Sequence, residues 1–407
     1  MSRRLLSVSS GRADVGILTP VWQALAAEPG IDLHVLFTGM HCAPGAALPD
    51  LPDNATRHVG GGDMGGGAPD GSAAAALAAI TEAAGRLCAE LDPDLFMVIG
   101  DRLDMIPAAI ASLPFNIPIV HLAGGDVSRG AIDDRIRHAL SKLSHVHCAI
   151  NVEAAGRLAA MGEERWRIHV TGATGLDTLA AAPVLSAVDF LAEIGLEDAA
   201  GLRLVTVHPE TNAPTPDAPL KAVLSALDAR PAPTLFTAPN ADPGGAAMRA
   251  EIAAFVAECP WAVFRGTLGA RLYANALRHA TVMAGNSSSG IVEAGLMGLN
   301  VIDVGARQAG RACGANVHRC ASEAGAVTAL LERLTTPATG RPSHSLYGDG
   351  RAAARVAAAI QSLPERARLL DKVFEVTRAP FVAPWEDDKT RPAPASASGS
   401  PVEMNGR

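Results

Sequence analysis

The chain has 407 residues, of which 48% are hydrophobic and 19% charged, and its formal net charge at pH 7 is -8. This length and apolar content predict a large hydrophobic core, and we expect two domains. The modest charge provides no basic stripe, which argues against a nucleic-acid partner and favours a small-molecule substrate.

Neither a secretory signal nor a membrane span is predicted. Two arginines precede only a short apolar run at the N-terminus, and no small-residue cleavage site follows. No segment reaches the roughly 18 consecutive apolar residues of a membrane-spanning helix. The six cysteines lack CxxC or metal-ligand spacing, which favours reduced thiols without a metal centre or other cofactor. We therefore expect a cytoplasmic protein without membrane contact.

Short apolar runs alternate with alanine-rich helical stretches along the chain, which is typical of parallel sheets with crossover helices and predicts an α/β fold. The first set of runs is "LLSVSS", "DLHVLFTG", "DLFMVIG", "PIVHLAGG" and "VHCAIN", and the second is "LRLVTVH", "TLFTAP", "AVFRG", "TVMAG" and "NVIDVG". Glycines and a proline interrupt this rhythm at 170–185. We therefore predict domains at 1–174 and 175–382 that face one another across a cleft, because parallel sheets bind ligands at the carboxyl ends of their strands.

Two segments are predicted to lack regular structure. The glycine-rich stretch 59–71 fits either a lid beside the cleft or a solvated insertion. The proline- and serine-rich stretch 383–407 is predicted to be a disordered tail.

Acidic residues follow two strands of the first domain. Asp101 and Arg102 come directly after "DLFMVIG", where an aspartate alone would be expected to cap the next helix. The pair Gly124-Gly125 ends "PIVHLAGG" and allows a sharp bend, which would deliver Asp126 to the same sheet edge. We expect Asp101 and Asp126 to converge there.

A helix is predicted from Ile132 onward. Its apolar face would comprise Ile132, Ile136, Ala139, Leu140 and Leu143, and its opposite face Asp134, Arg137, His138 and Ser141. Asp133 and Asp134 lie in the first turn, where the helix dipole favours carboxylates. Asp101, Asp126 and Asp134 around one cleft predict general acid/base chemistry on a polar, anionic substrate.

The second domain contains a predicted phosphate site. "TVMAGNSSSGIVEAG" indicates a strand, a hydroxyl-rich turn and a helix beginning near Ser289 or Gly290, whose free amides attract anions; a serine-capped helix without a ligand is the alternative. Glu293 misses capping-box spacing from Ser289, so we expect it to contact ligand hydroxyls. Arg12, His208 and Arg307 are further polar groups at strand ends.

Several motifs together resemble the UDP-N-acetylglucosamine 2-epimerases, particularly the hydrolysing branch. They occur in the family's order and cover residues 5 to about 360: "GDR", "IPIVHLAGGD", "GAIDDRIRHALSKLSHVHCAI", "VTGATGLDTL", "GNSSSGIVEAG", "GARQAGR" and "YGDGRAAARVAAAI". The resemblance implies a GT-B fold of two Rossmann-like parallel-sheet domains, with the nucleotide held mainly by the second, and a homodimer or homotetramer. It also implies conversion of a UDP-2-acetamido sugar and water to the 2-epimeric sugar and UDP, for sialic or related nonulosonic acids.

The family's reaction removes the proton on sugar carbon 2, eliminates UDP to give a glycal, and adds water. By resemblance, Asp101, Asp126 and Asp134 occupy acidic catalytic positions. Which of them removes the proton and which activates water is left open. His208 is implied as a further catalytic residue that contacts the phosphate or sugar. The remaining implied contacts with the sugar, phosphate or ribose are Arg12, Arg137, His138, Ser287, Ser288, Ser289, Gly290, Glu293 and Arg307.

This chain departs from the family pattern at three acids. The family often carries glutamate where this chain has Asp104, Asp126 and Asp134. Because catalytic groups must be placed within about 0.5 Å, the shorter side chains indicate an altered substrate, a shifted backbone or weak activity.

Three alternatives stay open. A non-hydrolysing epimerase would return UDP to the glycal, but its usual glycine-leucine-arginine pattern is replaced here by "GGDVSRGAIDD". A GT-B glycosyltransferase would leave a UDP-sugar largely intact without an acceptor, since a fold does not fix a function. A non-catalytic sensor would bind nucleotide sugars and turn over none.

Overall fold

The computed structural model describes residues 2–63, 71–127, 132–211, 213–240, 242–334, 343, 345–375, 381 and 383–385. Most of the predicted glycine-rich segment, residues 64–70, lies outside the described residues. The predicted tail beyond residue 385 lies outside them as well.

The first lobe is a seven-stranded parallel sheet with the order β3-β2-β1-β4-β5-β6-β7. Its elements are β1 (Arg3–Ser9), α1 (Arg12–Ala26), β2 (Ile31–Phe37), β3 (Thr56–Val59), α2 (Gly71–Leu91), β4 (Leu95–Ile99), α3 (Met105–Ser112), β5 (Ile119–Leu122), α4 (Ile132–Leu143), β6 (Val146–Ala149), α5 (Val152–Ala160) and β7 (Ile168–Val170). Every residue of β4, β5 and β6 is buried, because helices cover both faces of the sheet.

The second lobe is a six-stranded parallel sheet with the order β10-β9-β8-β11-β12-β13. Its elements are α6 (Gly175–Ala181), α7 (Ala187–Ile194), β8 (Arg203–Thr206), α8 (Ala218–Ala229), β9 (Thr234–Thr237), α9 (Gly245–Glu258), β10 (Ala262–Arg265), α10 (Gly269–His279), β11 (Val282–Gly285), α11 (Ser288–Val292), β12 (Asn300–Val304), β13 (Val317–Cys320) and α12 (Ala324–Arg333). The predicted α/β class and GT-B arrangement are confirmed.

The chain then returns to the first lobe through α13 (Ala352–Gln361) and α14 (Arg366–Leu370). Val356 and Ile360 belong to the hydrophobic core of the first lobe, and α13 packs on α1. The Asp177 carboxylate on α6 accepts the N–H groups of Ala352 and Ala353 at 2.9 and 2.7 Å. These bonds satisfy the free amides at the start of α13 and connect the cleft side of the second lobe to the returning helix.

Strand order identifies where each lobe binds ligands. In the first sheet the order reverses between β1 and β4, and in the second between β8 and β11. Ligands of open parallel sheets occupy the crevice outside the carboxyl ends of such strand pairs. The residues that follow these four strands therefore define the candidate site.

Three strands were not predicted from the sequence: β3, β7 and β13. All three lie at sheet edges, and two of them, β3 and β13, contain no fully buried residue. Among the described residues, no helix combines the length and apolar character needed to cross a bilayer.

Candidate functional site

A cavity of about 440 Å³ opens between the two lobes. Gly16 and Ile17 on α1 and Thr178 on α6 line one side. The other side follows the carboxyl ends of β8, β9 and β11 and continues along α10 and α11. Its polar lining residues are Thr206, His208, Thr237, Tyr273, Ser287, Ser289 and Glu293.

The predicted convergence of Asp101 and Asp126 occurs around one guanidinium group. Arg137 forms ion pairs with Asp101 and, at 3.4 Å, with Asp126. The side chains of Arg137 and Asp126 are only 7% and 11% exposed, and that of Asp101 is 23% exposed. This group, Asp101, Asp126 and Arg137, is called the acid cluster below. It lies at the carboxyl edge of the first sheet, and none of its members is among the described residues that line the cavity.

The turn after β5 delivers Asp126 by an unusual backbone path. Ala123 and Gly125 both have positive φ, at 61° and 75°. A Cβ at Gly125 would lie 2.3 Å from the Ala154 carbonyl oxygen, so only glycine fits this close approach. Arg157 donates a hydrogen bond of 2.5 Å to the Gly125 carbonyl, which fixes the turn from the side of α5.

The predicted faces of α4 were partly wrong. Ile136 and Leu140 are buried as expected, but Ile132 is 55% exposed, whereas Arg137 and Ser141 are buried. The reason is that polar groups from the loops after β4 and β5 cover this edge of the helix, so a charged residue and a hydroxyl find partners inside the fold. Helical periodicity alone cannot report such partners.

Asp134 and Asp133 occupy different surroundings on α4. Asp134 lies 3.7 Å from His138, one turn along the helix, and both side chains are about a third exposed. Asp133 lies four residues before Arg137, and burial together with the negative charge of Asp101 raises its pKa. The sequence prediction did not select Asp133 as a site residue. The same i, i+4 spacing, measured back from Arg137, would have found it.

His121 connects the elements that carry the acid cluster. It is fully buried on β5, and its Nε2 donates to the Gly100 carbonyl at 2.8 Å, immediately before Asp101. Its Nδ1 lies 3.2 Å from the Ser141 hydroxyl on α4. Burial lowers the pKa of His121 to about 3, so the ring is neutral at physiological pH. A Cβ at Gly124 would lie 2.8 Å from this ring, which explains the first glycine of the pair.

Arg102 is fixed beside the end of β1. Its guanidinium pairs with Asp104 through contacts of 3.1 and 3.2 Å and donates to the Ser10 hydroxyl at 3.0 Å. Asp14 accepts the N–H groups of Ser10 and Gly11 at 2.8 and 3.0 Å, which holds the loop after β1 in place. Arg12 is the first residue of α1; it is exposed and is not one of the described residues that line the cavity.

His208 is held at the switch point of the second sheet. The Asn286 side chain bonds both the N–H and the C=O of His208, at 2.7 and 2.9 Å. The N–H of Asn240 donates to His208 Nδ1 at 3.0 Å. Burial, reinforced by the positive charge of Arg307, lowers the pKa of His208 to about 4. The ring is therefore neutral at physiological pH, and its Nε2–H is the donor left for the cavity.

The serine-rich turn forms a short helix with a polar chain at its mouth. Ser287 caps α11, and its hydroxyl lies 3.4 Å from the N–H of Ser289. The Ser289 hydroxyl donates to Glu293 at 2.5 Å and also contacts the Tyr273 hydroxyl. Burial raises the pKa values of Glu293 and Tyr273. Three members of the predicted site, Ser287, Ser289 and Glu293, thus line the cavity.

Ser288 and Gly290 lie away from the cavity lining. Gly290 is buried against β12, where a Cβ would lie 2.8 Å from a Val301 methyl group, so its role is close packing of helix on sheet. Arg307 lies in the turn after β12, and its side chain is 3.4 Å from the Asn286 carbonyl. Glu210, which the sequence prediction missed, accepts the Ala306 and Arg307 N–H groups at 2.6 and 2.8 Å and holds this turn.

The two sides of the cleft carry complementary chemistry. The carboxyl edge of the first sheet carries the acid cluster, whereas the second lobe lines the cavity with neutral His208, several hydroxyls and the Glu293 carboxyl group. Within the described residues, no group of three or more His, Cys, Asp or Glu side chains is arranged to hold a metal ion. The arrangement suits proton transfer beside an anion-binding surface.

Comparison with known proteins identifies the family. The sequence model of the UDP-N-acetylglucosamine 2-epimerases matches residues 23–361. The hydrolysing UDP-N,N'-diacetylbacillosamine 2-epimerase of Legionella pneumophila is 31% identical over 383 residues, which cover 91% of this chain and 99% of the relative. The UDP-N-acetylglucosamine 2-epimerase of Neisseria meningitidis is 32% identical over 326 residues, covering 77% of this chain and 83% of the relative.

Solved structures share the fold. The crystal structure of a UDP-N-acetylglucosamine 2-epimerase from N. meningitidis bound to UDP-N-acetylglucosamine has a TM-score of 0.65 and 15% identity, and the match covers 88% of this chain and 100% of that one. At this identity the likeness establishes the architecture only.

The turn at Gly125 gives a stability prediction. We expect Gly125→Ala to destabilise the first lobe by about 2 kcal/mol or more, because alanine is strained at this positive φ and collides with the Ala154 carbonyl. The melting temperature by calorimetry should fall by roughly 4 °C or more. Gly156→Ala, at an exposed position of α5, is the matched control, since its Cβ would meet nothing within 4 Å. Equal melting temperatures for both variants would contradict the strain argument.

The state of His208 gives a second prediction. We expect its imidazole to titrate with a pKa of about 4 and to carry its proton on Nε2 at neutral pH, because Nδ1 accepts the Asn240 N–H. Two-dimensional 1H–15N spectra of the histidine rings measure both properties, and His208→Gln assigns the resonance by its loss. A pKa near 6.5 or a proton on Nδ1 would contradict this geometry.

Proposed function

The chain belongs to the UDP-N-acetylglucosamine 2-epimerase family, and from that membership we propose that it is a hydrolysing epimerase. Its reaction converts UDP-N-acetylglucosamine, or a related UDP-2-acetamido sugar, and water to N-acetylmannosamine, or its analogue, and UDP. The observation that carries the proposal is the acid cluster, in which Asp101 and Asp126 share Arg137 at the cleft edge of the first lobe. The word hydrolysing in the name of the Legionella relative supports the subtype.

The first step breaks the bond between carbon 2 and its hydrogen, and a carboxylate takes the proton. The electron pair forms the double bond of a glycal as the bond from carbon 1 to oxygen breaks and UDP leaves. Asp101 and Asp126 are the candidate bases, because the positive charge of Arg137 compensates both carboxylates at the same sheet edge. Asp133, with its raised pKa, is the candidate for carrying a proton, alongside the predicted Asp134.

The second lobe receives the leaving diphosphate. Neutral His208 offers its Nε2–H, and Ser287 offers its hydroxyl. The fold already orients these donors, whereas water molecules in free solution would have to reorient around the departing diphosphate. Arg307 and Arg12 add positive charge at the ends of β12 and β1. Glu293, linked to Tyr273 through Ser289, is proposed to contact the ribose hydroxyls.

Water then completes the reaction. Its oxygen bonds to carbon 1 of the glycal as a carboxylate takes one of its protons, and a protonated carboxyl group returns a proton to carbon 2 on the opposite face. The product is a free sugar epimeric at carbon 2, which suits a supply route to sialic or other nonulosonic acids. A cytoplasmic location and a homo-oligomer remain part of this proposal.

The second candidate is the non-hydrolysing reaction, in which UDP rather than water adds to the glycal. The N. meningitidis relative, whose name does not include hydrolysis, favours it at similar identity. The two reactions share the elimination step and differ in the product.

The reaction itself is tested in heavy water with a panel of UDP-2-acetamido sugars. We expect proton NMR to detect UDP and a free 2-epimeric sugar with deuterium at carbon 2, because that proton is exchanged during elimination and addition. Recovery of an epimeric UDP-sugar instead would identify the non-hydrolysing reaction. An untouched panel, without an acceptor, would favour a transferase or a sensor and overturn the proposal.

Substitution of the acids tests their roles. We expect Asp101→Asn and Asp126→Asn each to lower kcat by about a hundredfold or more, the scale of losing a general acid or base. Asp133→Asn should lower kcat more than Asp134→Asn, because the charge of Asp101 acts on Asp133 and raises its pKa, whereas Asp134 pairs with His138. Rates near wild type for Asp101→Asn or Asp126→Asn would remove that residue from the mechanism, and the reverse order for the α4 pair would restore Asp134.

A further inference from the structure

The C-terminal end of α4 is held by a side chain from a distant part of the chain. The last carbonyls of a helix have no partner within the helix. Lys372 provides partners here, because its Nζ donates to the carbonyls of Ser144 at 2.5 Å and Lys142 at 3.1 Å. A cation at this position also interacts favourably with the helix dipole.

A buried carboxylate completes the coordination of Lys372. Glu163 is fully buried, and its carboxylate lies 2.7 Å from Lys372 Nζ. The same carboxylate accepts hydrogen bonds from Lys142 at 2.6 Å and from His147 on β6 at 2.9 Å. All three N–H donors of Lys372 therefore have an acceptor, two on the end of α4 and one on Glu163. The ammonium group is fixed in one orientation.

The segment that carries Lys372 is itself fixed on the first lobe. Residues 369–375, which comprise the end of α14 and the residues after it, are called the C-terminal segment. Arg167, fully buried, donates to the carbonyls of Leu369 and Asp371 at 2.7 and 2.6 Å. Glu164 accepts the Val373 N–H at 3.2 Å. These bonds fix the position of Lys372 relative to the rest of the first lobe.

The other half of α4 carries the acid cluster and its neighbours. Arg137 lies five residues before Lys142 on the same continuous helix and pairs with Asp101 and Asp126. A helix transmits a displacement of one end to the other, because its hydrogen bonds keep it rigid over so short a distance. Misplacement of a reacting group by about 1 Å costs on the order of a hundredfold in rate.

We propose that Lys372 is a positioning residue, which fixes α4 so that Arg137 holds Asp101 and Asp126 in register with the sugar. The inference rests on the proposed function, because it concerns the geometry of the same acids. Lys372 is not among the described residues that line the cavity, so its effect on the substrate is indirect, and of the elements it contacts α4 is the one that carries Arg137.

The test is Lys372→Met, which keeps the length of the side chain and removes its charge and donors. We expect kcat to fall about tenfold or more, with KM and the Kd for UDP changed less than about threefold, because the second lobe is untouched. With substrate deuterated at carbon 2, the isotope effect on kcat should rise, since misplaced acids slow proton removal specifically. A general loss of stability would not raise it.

Two further variants make the result decisive. Lys372→Arg keeps the cation and should retain more activity than Lys372→Met, which guards against a variant that fails to fold. Arg368→Met removes an exposed cation from the adjacent helix α14 and should leave kcat and the isotope effect unchanged. The melting temperatures of all three variants are measured so that each assay is run at a temperature at which the variant is folded.

The outcomes separate the two claims. Wild-type kcat and isotope effect in Lys372→Met would overturn the positioning role while the proposed function stands. Equal losses in Arg368→Met and Lys372→Met would also overturn it, because a specific contact with α4 would not be needed. A wild-type protein that turns over no UDP-sugar would overturn the proposed function, and this inference with it.

Discussion

Two carboxylates held close together at the edge of a hydrophobic sheet need a compensating charge, and Arg137 supplies it to Asp101 and Asp126. That single requirement explains much of the surrounding structure. The buried side of α4 must accommodate a guanidinium group, so this helix does not divide into an entirely apolar buried face and a polar exposed face. The turn before Asp126 must adopt positive φ at Gly125, and a neutral histidine, His121, ties the backbone beside one acid to the helix.

The division of chemistry between the lobes follows from strand order. The strand order of each sheet reverses once, and the polar groups that follow the central strands meet at those switch points. In the first sheet they are acids with a shared cation, and in the second they are His208 and the serines around Asn286. Burial keeps His208 neutral, so its Nε2–H can donate a hydrogen bond to an anion. The ring does not take up a proton from the acids. The short helix α11 contributes hydroxyls and Glu293 rather than a long helix terminus.

The three aspartates at positions where the family often carries glutamate have different partners in the structure. Asp104 is 2% exposed and accepts hydrogen bonds from Arg102, which lies beside the loop after β1. Asp134 pairs with His138 on the partly exposed side of α4. Only Asp126 belongs to the acid cluster, where the shorter side chain reaches Arg137 at 3.4 Å. If the proposed function holds, the departure from the family pattern at Asp126 is the one that changes the acid cluster itself.

The sequence alone determined the α/β class, the nine interior strands with the edge strand β10, and the residues at their carboxyl ends. Burial on both faces of an interior strand leaves a continuous apolar run with a polar residue where it stops. It also determined the glycine turn before Asp126. It did not predict the edge strands β3, β7 and β13, whose one free edge relaxes the demand for apolar residues. Only the tertiary structure decided that Arg137 is buried, that the charge of Asp101 acts on Asp133, and that Glu163 and Lys372 hold the end of α4. These contacts join residues up to 230 positions apart, and local periodicity carries no information about which distant group will cover a helix face.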